Sequence, residues 1–495
     1  MKTPFCLSAA AAFACLSPAA ELPRATPESQ GVASAALQAL VDELEARAFG
    51  VHSLVIVRHG RVIAEGWWAP YAPDEPHMLF SLSKSFTSTA IGLLQAEGRL
   101  SIDDPVLKYF PEDAPAQPSE NLRQMRIRDL LRMTTGQHQP DIGPIPIMQD
   151  TGVPATRAFL AAPVPHKPGT HFFYNSHATF MLSAIVQKVS GQTMRDYLVP
   201  RLFQPLGIPT PDWDATPQGF SFGASGLHLR TGDIAKFGQL YLQRGEWEGR
   251  RLLPAAWIDE ATAAQTSNGS HPDSDWDQGY GYQFWRCIPG FYRADGANGQ
   301  FCIVMPQHDT VVAINSGTRD MAGIMKTLWR LLLPELRPAA LPENPTAAGA
   351  LRRRLGALAR PFEKGAATSP IADRVLGKRF AVTGENAASL EAVSLERAPD
   401  GATVALARIR GRDIRIPVGH GAWRKTEAPF GPTGAIQPVA SSGGWIADDT
   451  FVVAAYYYRT PRIEKLRLKF SGDEVAIEAS SNLDRPVHLT GRAQP

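Results

Sequence analysis

Ser81 and Lys84 are the residues of this chain whose types and spacing most directly suggest chemistry. They stand three positions apart at the start of a helical pattern that ends near Gly98. Side chains at positions i and i+3 of a helix lie on one face, about 5–6 Å apart at Cβ. A lysine held there away from water loses its proton more readily than a solvated one, so Lys84 could activate the Ser81 hydroxyl. The pair predicts a serine nucleophile that forms an acyl-enzyme, although a surface lysine on an amphipathic helix would give the same tetrapeptide.

Two later segments add residues that suit this chemistry. Residues 174–176 (YNS) precede a helical pattern, and residues 292–300 (YRADGANGQ) lead into a strand pattern. Three flanking segments contribute to the same pattern: 100–106 (LSIDDPV), 126–136 (RIRDLLRMTTG) and 279–282 (GYGY). In this order and spacing, residues 30–335 resemble the class C β-lactamase, D-alanyl carboxypeptidase and esterase group of serine hydrolases. Within that group they lean towards the aminohexanoate-dimer hydrolase branch.

The resemblance implies an α/β fold of the serine β-lactamase type, with an antiparallel sheet flanked by helices, and a role for each matching residue. Ser81 would be the nucleophile, Lys84 would hold or remove its proton, and Tyr174 would protonate the leaving group. The backbone N–H groups of Ser81 and Ala297 would form the oxyanion hole. A tyrosine with a pKa of about 10 is a poor base in water, and we expect the neighbouring lysine to lower the pKa of Tyr174.

Two departures from the family's pattern bear on the substrate. Ser176 stands where many members have asparagine, and the triplet from Ala294 to Gly296 stands where many have Lys-Thr-Gly or His-x-Gly. We expect Ser176, Ala294 and Gly296 to lie at the substrate. Arg293 precedes Ala294, but neighbouring residues on a strand face opposite sides. Because the missing cation helps hold a substrate carboxylate in β-lactamases and carboxypeptidases, its absence favours a neutral ester or amide.

Two alternatives stay open. One is a true β-lactamase or D-alanyl-D-alanine carboxypeptidase, and the other is a binding or sensor protein that keeps this fold without turnover. The aromatic residues at 67–68 and within 280–285 either line a substrate cleft or belong to the core.

Composition excludes several other classes of protein. The chain is 44% hydrophobic and 20% charged, which is typical of a globular protein, and its net charge of +2 gives no argument for nucleic acid or an anionic membrane. It has no His-Glu-x-x-His, no Cys/His ligand spacing and no phosphate-binding glycine loop, so we expect neither a metal nor another cofactor. We expect a small-molecule or short-oligomer substrate, and the oligomeric state is left open.

The N-terminus has the pattern of an export signal. Lys2 precedes an apolar stretch from Cys6 to Leu16, which is too short to span a bilayer, and small residues allow cleavage near Ala20. Residues 1–20 are therefore expected to be a signal peptide, and the protein to be exported, periplasmic or secreted. Cys15 lies in a degenerate lipoprotein motif, so a lipid-anchored form and a free one both stay open.

Length and patterning predict more than one domain, since 495 residues exceed one ordinary domain. We expect a catalytic domain at 21–335, a proline-rich linker at 336–370 with a helix near 348–359, and a C-terminal all-β barrel or sandwich at 371–495. The C-terminal domain should be separable, with proteolysis cutting first in the linker. Cys287 and Cys302 lie on candidate neighbouring strands, and whether they form a disulfide is left open.

Overall fold

Strands from both ends of the first domain lie side by side in one sheet. The computed structural model describes residues 21–138, 147–431 and 434–494, so the expected signal peptide lies outside the described residues. In the described residues the α-helices are α1 (Ser34–Ala46), α2 (Ser83–Ala96), α3 (Glu120–Gln124), α4 (Ile127–Leu131), α5 (Ala155–Ala161), α6 (Ser176–Ser190), α7 (Met194–Leu198), α8 (Thr231–Leu242), α9 (Ala255–Thr262), α10 (Met321–Leu331), α11 (Pro345–Gly356) and α12 (Ala372–Val375).

The β-strands fall into a set before residue 320 and a set after residue 378. The first set is β1 (Val51–Arg58), β2 (Arg61–Trp67), β3 (His77–Met78), β4 (His228–Leu229), β5 (Glu246–Trp247), β6 (Arg250–Arg251), β7 (Trp285–Arg286), β8 (Tyr292–Gly296), β9 (Gln300–Met305) and β10 (Thr310–Ser316). The second set is β11 (Arg379–Val382), β12 (Leu390–Arg397), β13 (Thr403–Ile409), β14 (Arg412–Pro417), β15 (Arg424–Phe430), β16 (Ala435–Ala447), β17 (Thr450–Tyr456), β18 (Ile463–Ser471), β19 (Glu474–Ser481) and β20 (Val487–Ala493).

The first domain contains a six-stranded antiparallel sheet in the order β2-β1-β10-β9-β8-β7. Strand β1 is buried along its whole length because both faces of the sheet are covered. Val55 and Val57 pack in the core that contains α2 and α8, whereas Leu54 and Ile56 pack in the core that contains α1 and α10. Strand β8 of the same sheet lies against the turn that carries Ser81 and against α2, which carries Lys84.

Helix α2 runs through the centre of the first core. Its residues are buried from Ser83 to Leu94, with Lys84 only 1% exposed. Ser81 lies just before the α-helix, in a 3-10 turn from Phe80 to Leu82. The alternative of an ordinary surface lysine is therefore excluded for Lys84.

The C-terminal domain is a single ten-stranded antiparallel sheet rather than a sandwich. Its order is β14-β13-β12-β11-β20-β19-β18-β17-β16-β15, and the two edge strands, β14 and β15, lie beside each other, so the sheet is a nearly closed barrel. The alternation predicted from the sequence fills its interior, where Leu468 and Phe470 of β18 meet Val475 and Ile477 of β19.

The segment expected to be a linker is docked on the first domain by helix α11. This helix begins at Pro345, because the Asn344 side chain accepts a hydrogen bond from the Ala347 N–H and proline suits the first helical position. The Arg354 side chain then pairs with Asp42 on α1 at 2.7 Å. The helix expected near 348–359 therefore exists, about one turn earlier in the chain.

Several local expectations differ from the structure. Residues 282–287 (YQFWRC) have the pattern of a strand, but only β7 forms there, because Gln283 turns the chain with a φ of 65°. Thr231 and Asp233 are residue types that often cap a helix, but the N-cap of α8 is Arg230, and the Thr231 hydroxyl lies within the core, 2.9 Å from the Asn315 Nδ2. Cys287 and Cys302 are both buried free thiols, and they belong to the cores on opposite faces of the sheet.

Candidate active site

The Lys84 amine is aimed at the Ser81 hydroxyl. Its Nζ lies 2.9 Å from Ser81 Oγ and donates a second hydrogen bond to the Ala224 carbonyl oxygen at 2.7 Å. Burial lowers the pKa of Lys84 to about 7, while the negative charge of Asp295 acts in the opposite direction. A large fraction of Lys84 is therefore neutral near pH 7, in position to accept the Ser81 proton.

Tyr174 lies next to both Ser81 and Lys84. Its hydroxyl is close enough to interact with that of Ser81, and the Lys84 Nζ lies 5.0 Å from the centre of its ring. Asn175 fixes the chain here, since its side chain accepts from the His177 and Ala178 N–H groups at the start of α6. The tyrosine is carried on the turn that this cap defines.

The expectation that Lys84 lowers the pKa of Tyr174 is wrong. Burial raises the pKa of Tyr174 above its ordinary value, and the nearby Asp295 carboxylate raises it further. With a pKa of about 7, Lys84 is only about half charged at pH 7, so it opposes this rise less than an ordinary lysine would. Tyr174 therefore keeps its proton at neutral pH and suits the role of proton donor.

Gly296 brings the end of β8 against the chain on both sides of Ser81. A Cβ atom at Gly296 would lie 2.0 Å from the Leu79 carbonyl oxygen and 3.1 Å from the Leu82 nitrogen, so only glycine fits. Ala297 follows and is exposed at this edge. The contact brings the chain that leads into Ala297 close to the backbone around Ser81, and the oxyanion hole formed by their N–H groups stays a prediction.

The other two expected substrate positions differ in exposure. Ala294 is 1% exposed and packs in the core on the α2 side, so it presents almost no surface to a substrate. Ser176 is half-buried at the first position of α6. Arg293 precedes Ala294 on β8, and its side chain lies on the opposite face of the strand, as expected.

A buried ion pair at this site was not anticipated from the sequence. Arg293 Nε donates to Asp295 Oδ2 at 2.9 Å, and Arg293 Nη1 donates to the carbonyl oxygens of Asp275 and Arg286, each at 2.9 Å. Burial raises the pKa of the Asp295 carboxyl, and the Arg293 charge opposes that rise. The signal in the sequence was an arginine and an aspartate two positions apart, which share one face of a strand.

Aromatic rings form a wall beside Tyr174. The Trp285 ring centre lies 5.3 Å from that of Tyr174, 4.9 Å from that of Tyr280 and 6.1 Å from that of Phe172. Phe172, Tyr174 and Trp285 are partly exposed, so this part of the 280–285 segment lines the site. Trp68, by contrast, is 1% exposed and belongs to the core.

Two features are absent from the part of the chain that the structure describes. Within residues 21–138, 147–431 and 434–494, no group of three or more His, Cys, Asp or Glu residues could hold a metal ion. No helix in that same part of the chain is both long and apolar enough to cross a membrane.

A helix-flanked antiparallel sheet with a serine, a lysine and a tyrosine at one edge is the architecture of a β-lactamase-type protein. Residues 37–334 match the family model described as Beta-lactamase. Because this match covers more than half of the 495 residues, the chain belongs to the Beta-lactamase family.

Individual relatives point to hydrolases of this family. The chain is 27% identical over 325 residues to the 6-aminohexanoate-dimer hydrolase of Paenarthrobacter ureafaciens, covering 60% of this chain and 80% of that protein. It is 26% identical over 321 residues to penicillin-binding protein 4 of Amycolatopsis lactamdurans, covering 57% and 82%. A solved structure of a putative 6-aminohexanoate-dimer hydrolase from Bacillus anthracis has a TM-score of 0.53 at 20% identity, over 66% of this chain and 90% of that one.

Proposed function

We propose that this protein is a serine hydrolase that cleaves an ester or amide bond by acylating Ser81. The observation that carries the proposal is the Lys84 amine, which is buried, 2.9 Å from Ser81 Oγ, and has a pKa of about 7. A structural lysine would be exposed or paired with a carboxylate, because burying an uncompensated ammonium is costly. An amine buried against a hydroxyl is instead suited to remove its proton.

The proposed reaction moves one proton through the three side chains. Ser81 Oγ attacks the substrate carbonyl carbon while neutral Lys84 takes its proton, and the N–H groups of Ser81 and Ala297 stabilise the oxyanion. The C–O or C–N bond then breaks as Tyr174 gives its proton to the leaving group. Tyr174 recovers a proton from the Lys84 ammonium, and water releases the acyl group by the same steps in reverse.

In this proposal substrates without a carboxylate, such as neutral esters or amides, are preferred over β-lactams and D-alanyl peptides. The support is the absence of a cation at Ala294, which is enclosed in the core. A charge-assisted hydrogen bond to a carboxylate contributes roughly 1.5–3 kcal/mol, or about tenfold to a hundredfold in affinity. Similarity to a protein named 6-aminohexanoate-dimer hydrolase also supports a substrate other than a β-lactam.

Covalent labelling tests the nucleophile. Intact mass after treatment with a fluorophosphonate should show one adduct on the wild type and none on Ser81→Ala. Ser176→Ala is the matched control, because it removes another serine of the same site and should keep the adduct. An undiminished adduct on Ser81→Ala would refute the assignment.

A substrate panel tests the reaction. We expect the highest kcat/KM for a short-chain aryl ester, compared with nitrocefin, a D-alanyl-D-alanine peptide and a linear amide oligomer. A higher value for nitrocefin than for the best ester would favour a β-lactamase. A labelled Ser81 without turnover of any substrate would favour the binding or sensor alternative.

Export is a further part of the proposal. It is supported by the charged, apolar and small-residue segments within residues 1–20. The mass of the protein recovered from the periplasm or medium of a Gram-negative host should correspond to a chain that begins near Glu21. Recovery of the uncleaved chain from the cytoplasm alone would contradict it.

A further inference from the structure

We propose that the cleft selects substrates that carry a cationic ammonium group near the scissile bond and discriminates against those that carry a carboxylate there. The inference rests on the proposed function and names the substrate class for the same site. It is carried by the position and surroundings of Asp295, which follows Ala294 on β8.

Within the buried ion pair, only the negatively charged side chain has any exposed surface. The Arg293 side chain is 0% exposed, and that of Asp295 is 6% exposed. Two tryptophans cover the guanidinium, whose carbon lies 4.9 Å from the Trp276 ring centre and 5.8 Å from that of Trp285. A bound substrate therefore meets the carboxylate before it can meet the arginine.

The Asp295 carboxylate keeps hydrogen-bonding capacity after its protein partners are counted. A carboxylate has about four acceptor positions, and the partners of this one are Arg293 and the Trp276 side chain. A substrate ammonium could occupy an open position and face a charge that Arg293 already stabilises from behind. A substrate carboxylate at the same place would face a like charge and find no donor on the carboxylate.

Asp295 is also placed where a substrate substituent would lie. It precedes Gly296, whose backbone contacts the Leu79 and Leu82 backbone on either side of Ser81. Its charge acts on both Lys84 and Tyr174, raising the pKa of each, so it lies close to the reacting groups. A carbonyl group held at Ser81 would bring its neighbouring substituent close to Asp295.

One feature of the same pair favours the opposite selectivity. Arg293 Nη2 is buried and has no hydrogen-bond partner among the described residues. A substrate carboxylate could use this nitrogen only if Trp276 or Trp285 moved off the guanidinium. If the enzyme selected an anionic substrate, the recognition group would be Arg293 and not Asp295.

Matched esters test the inference on the wild-type protein. On the leaving-group side the series is 3-(trimethylammonio)phenyl acetate, its neutral isostere 3-tert-butylphenyl acetate, and 3-carboxyphenyl acetate. On the acyl side it is the 4-nitrophenyl esters of 4-(trimethylammonio)butanoate, its isostere 5,5-dimethylhexanoate, and glutarate. In at least one series, kcat/KM for the cation should exceed that for the isostere about tenfold, with the anion lowest.

The variant Asp295→Asn should remove the preference between cation and isostere. Asp277→Asn is the matched control, because it removes a carboxylate of the segment that carries Trp276 and should keep the preference. If Asp295→Asn does not fold, because Arg293 loses its counter-charge, the wild-type series decides alone. Two results would overturn the inference. One is a neutral isostere hydrolysed as fast as the cation in both series, and the other is an anion preferred in either series.

These outcomes separate the inference from the function beneath it. Hydrolysis of the neutral esters that depends on Ser81, without a preference for the cation, would leave the proposed function standing and overturn only the charge selectivity. No hydrolysis of any ester, together with no fluorophosphonate adduct on Ser81, would overturn both.

Discussion

Two buried basic side chains lie at the candidate site, and their surroundings differ. Lys84 on α2 is hydrogen-bonded to a carbonyl oxygen and a hydroxyl, and among the described residues no carboxylate pairs with it. Arg293 on β8 is paired with Asp295 and two carbonyl oxygens. Lysine can lose its proton when it is buried, whereas arginine stays charged and needs a counter-ion. The position of Lys84, which has no carboxylate partner, therefore suits a base that gains and loses a proton. The position of Arg293, which is paired with Asp295, suits a permanent charge.

Replacing Lys84 gives the largest effect that this comparison predicts. Lys84→Met keeps the shape of a largely neutral side chain but removes the base, so kcat/KM should fall by about 10²–10⁴-fold, with little change in the melting temperature. Lys84→Arg should lose as much activity and also lose stability, because it buries a permanent charge without a partner. Kinetics and thermal unfolding of both variants test this difference. A Lys84→Arg variant as stable as Lys84→Met would contradict it.

The same comparison predicts that Lys84 and Tyr174 act as one unit. Groups that share a proton path give losses that do not add. The double variant Lys84→Met/Tyr174→Phe should therefore be nearly as inactive as Lys84→Met alone. Losses that multiply cleanly would show two independent contributions.

The parts of the site that were predictable from the sequence are those set by local spacing. Ser81 and Lys84 meet because they are three positions apart at a helix start, whereas Tyr174 lies about ninety residues later and was predicted only from the resemblance to the family. The groups that set their protonation come from distant segments, such as the Ala224 carbonyl oxygen and Asp295. No periodicity encodes those contacts, so the direction of the Tyr174 pKa was predicted wrongly.

In the fold, too, the local features were predictable from the sequence and the contacts between distant segments were not. Alternating residues in β18 and β19 predicted strands and an interior face, but the choice between a barrel and a sandwich depends on whether β14 and β15 meet. That contact joins strands at the two edges of the sheet and has no local signature. The start of α11 was missed by about one turn because its cap at Asn344 lies ahead of the apolar pattern.

Replacing Arg293, the buried cation that is paired with Asp295, should destabilise the protein strongly. Arg293→Met leaves the Asp295 carboxylate buried without its partner, and breaking such a pair costs about 3–5 kcal/mol. The double variant Arg293→Met/Asp295→Leu should recover much of this loss, since it replaces both charges by apolar groups. Denaturant unfolding of both variants measures the difference. Equal stability of the single and double variants would show that the pair does not act as a unit.

The pH dependence of kcat/KM should report the protonation of Lys84. Because Lys84 has a pKa of about 7 and must be neutral to act, kcat/KM should fall about tenfold per pH unit below pH 7 and level off above it. The negative charge of Asp295 raises the pKa of Lys84, so Asp295→Asn should move this limb to lower pH. Asp277→Asn should leave it in place. A shift to higher pH in Asp295→Asn would contradict the electrostatic assignment.

A partly exposed ion pair between the two domains should give the smallest effect on substitution. It serves as a reference for the buried pair of Arg293 and Asp295. Arg459 of the barrel pairs with Glu75 at 2.7 Å, with side chains 38% and 20% exposed. Such pairs contribute about 0–1 kcal/mol to the free energy of unfolding, so Arg459→Ala should change stability little and leave kcat/KM nearly unchanged. The Met78 N–H still donates to the Arg459 carbonyl oxygen at 2.8 Å, a backbone contact that the substitution leaves intact. Met78 lies three residues ahead of Ser81. A loss above tenfold, with unfolding unchanged, would therefore mean that the barrel positions the nucleophile through this side chain.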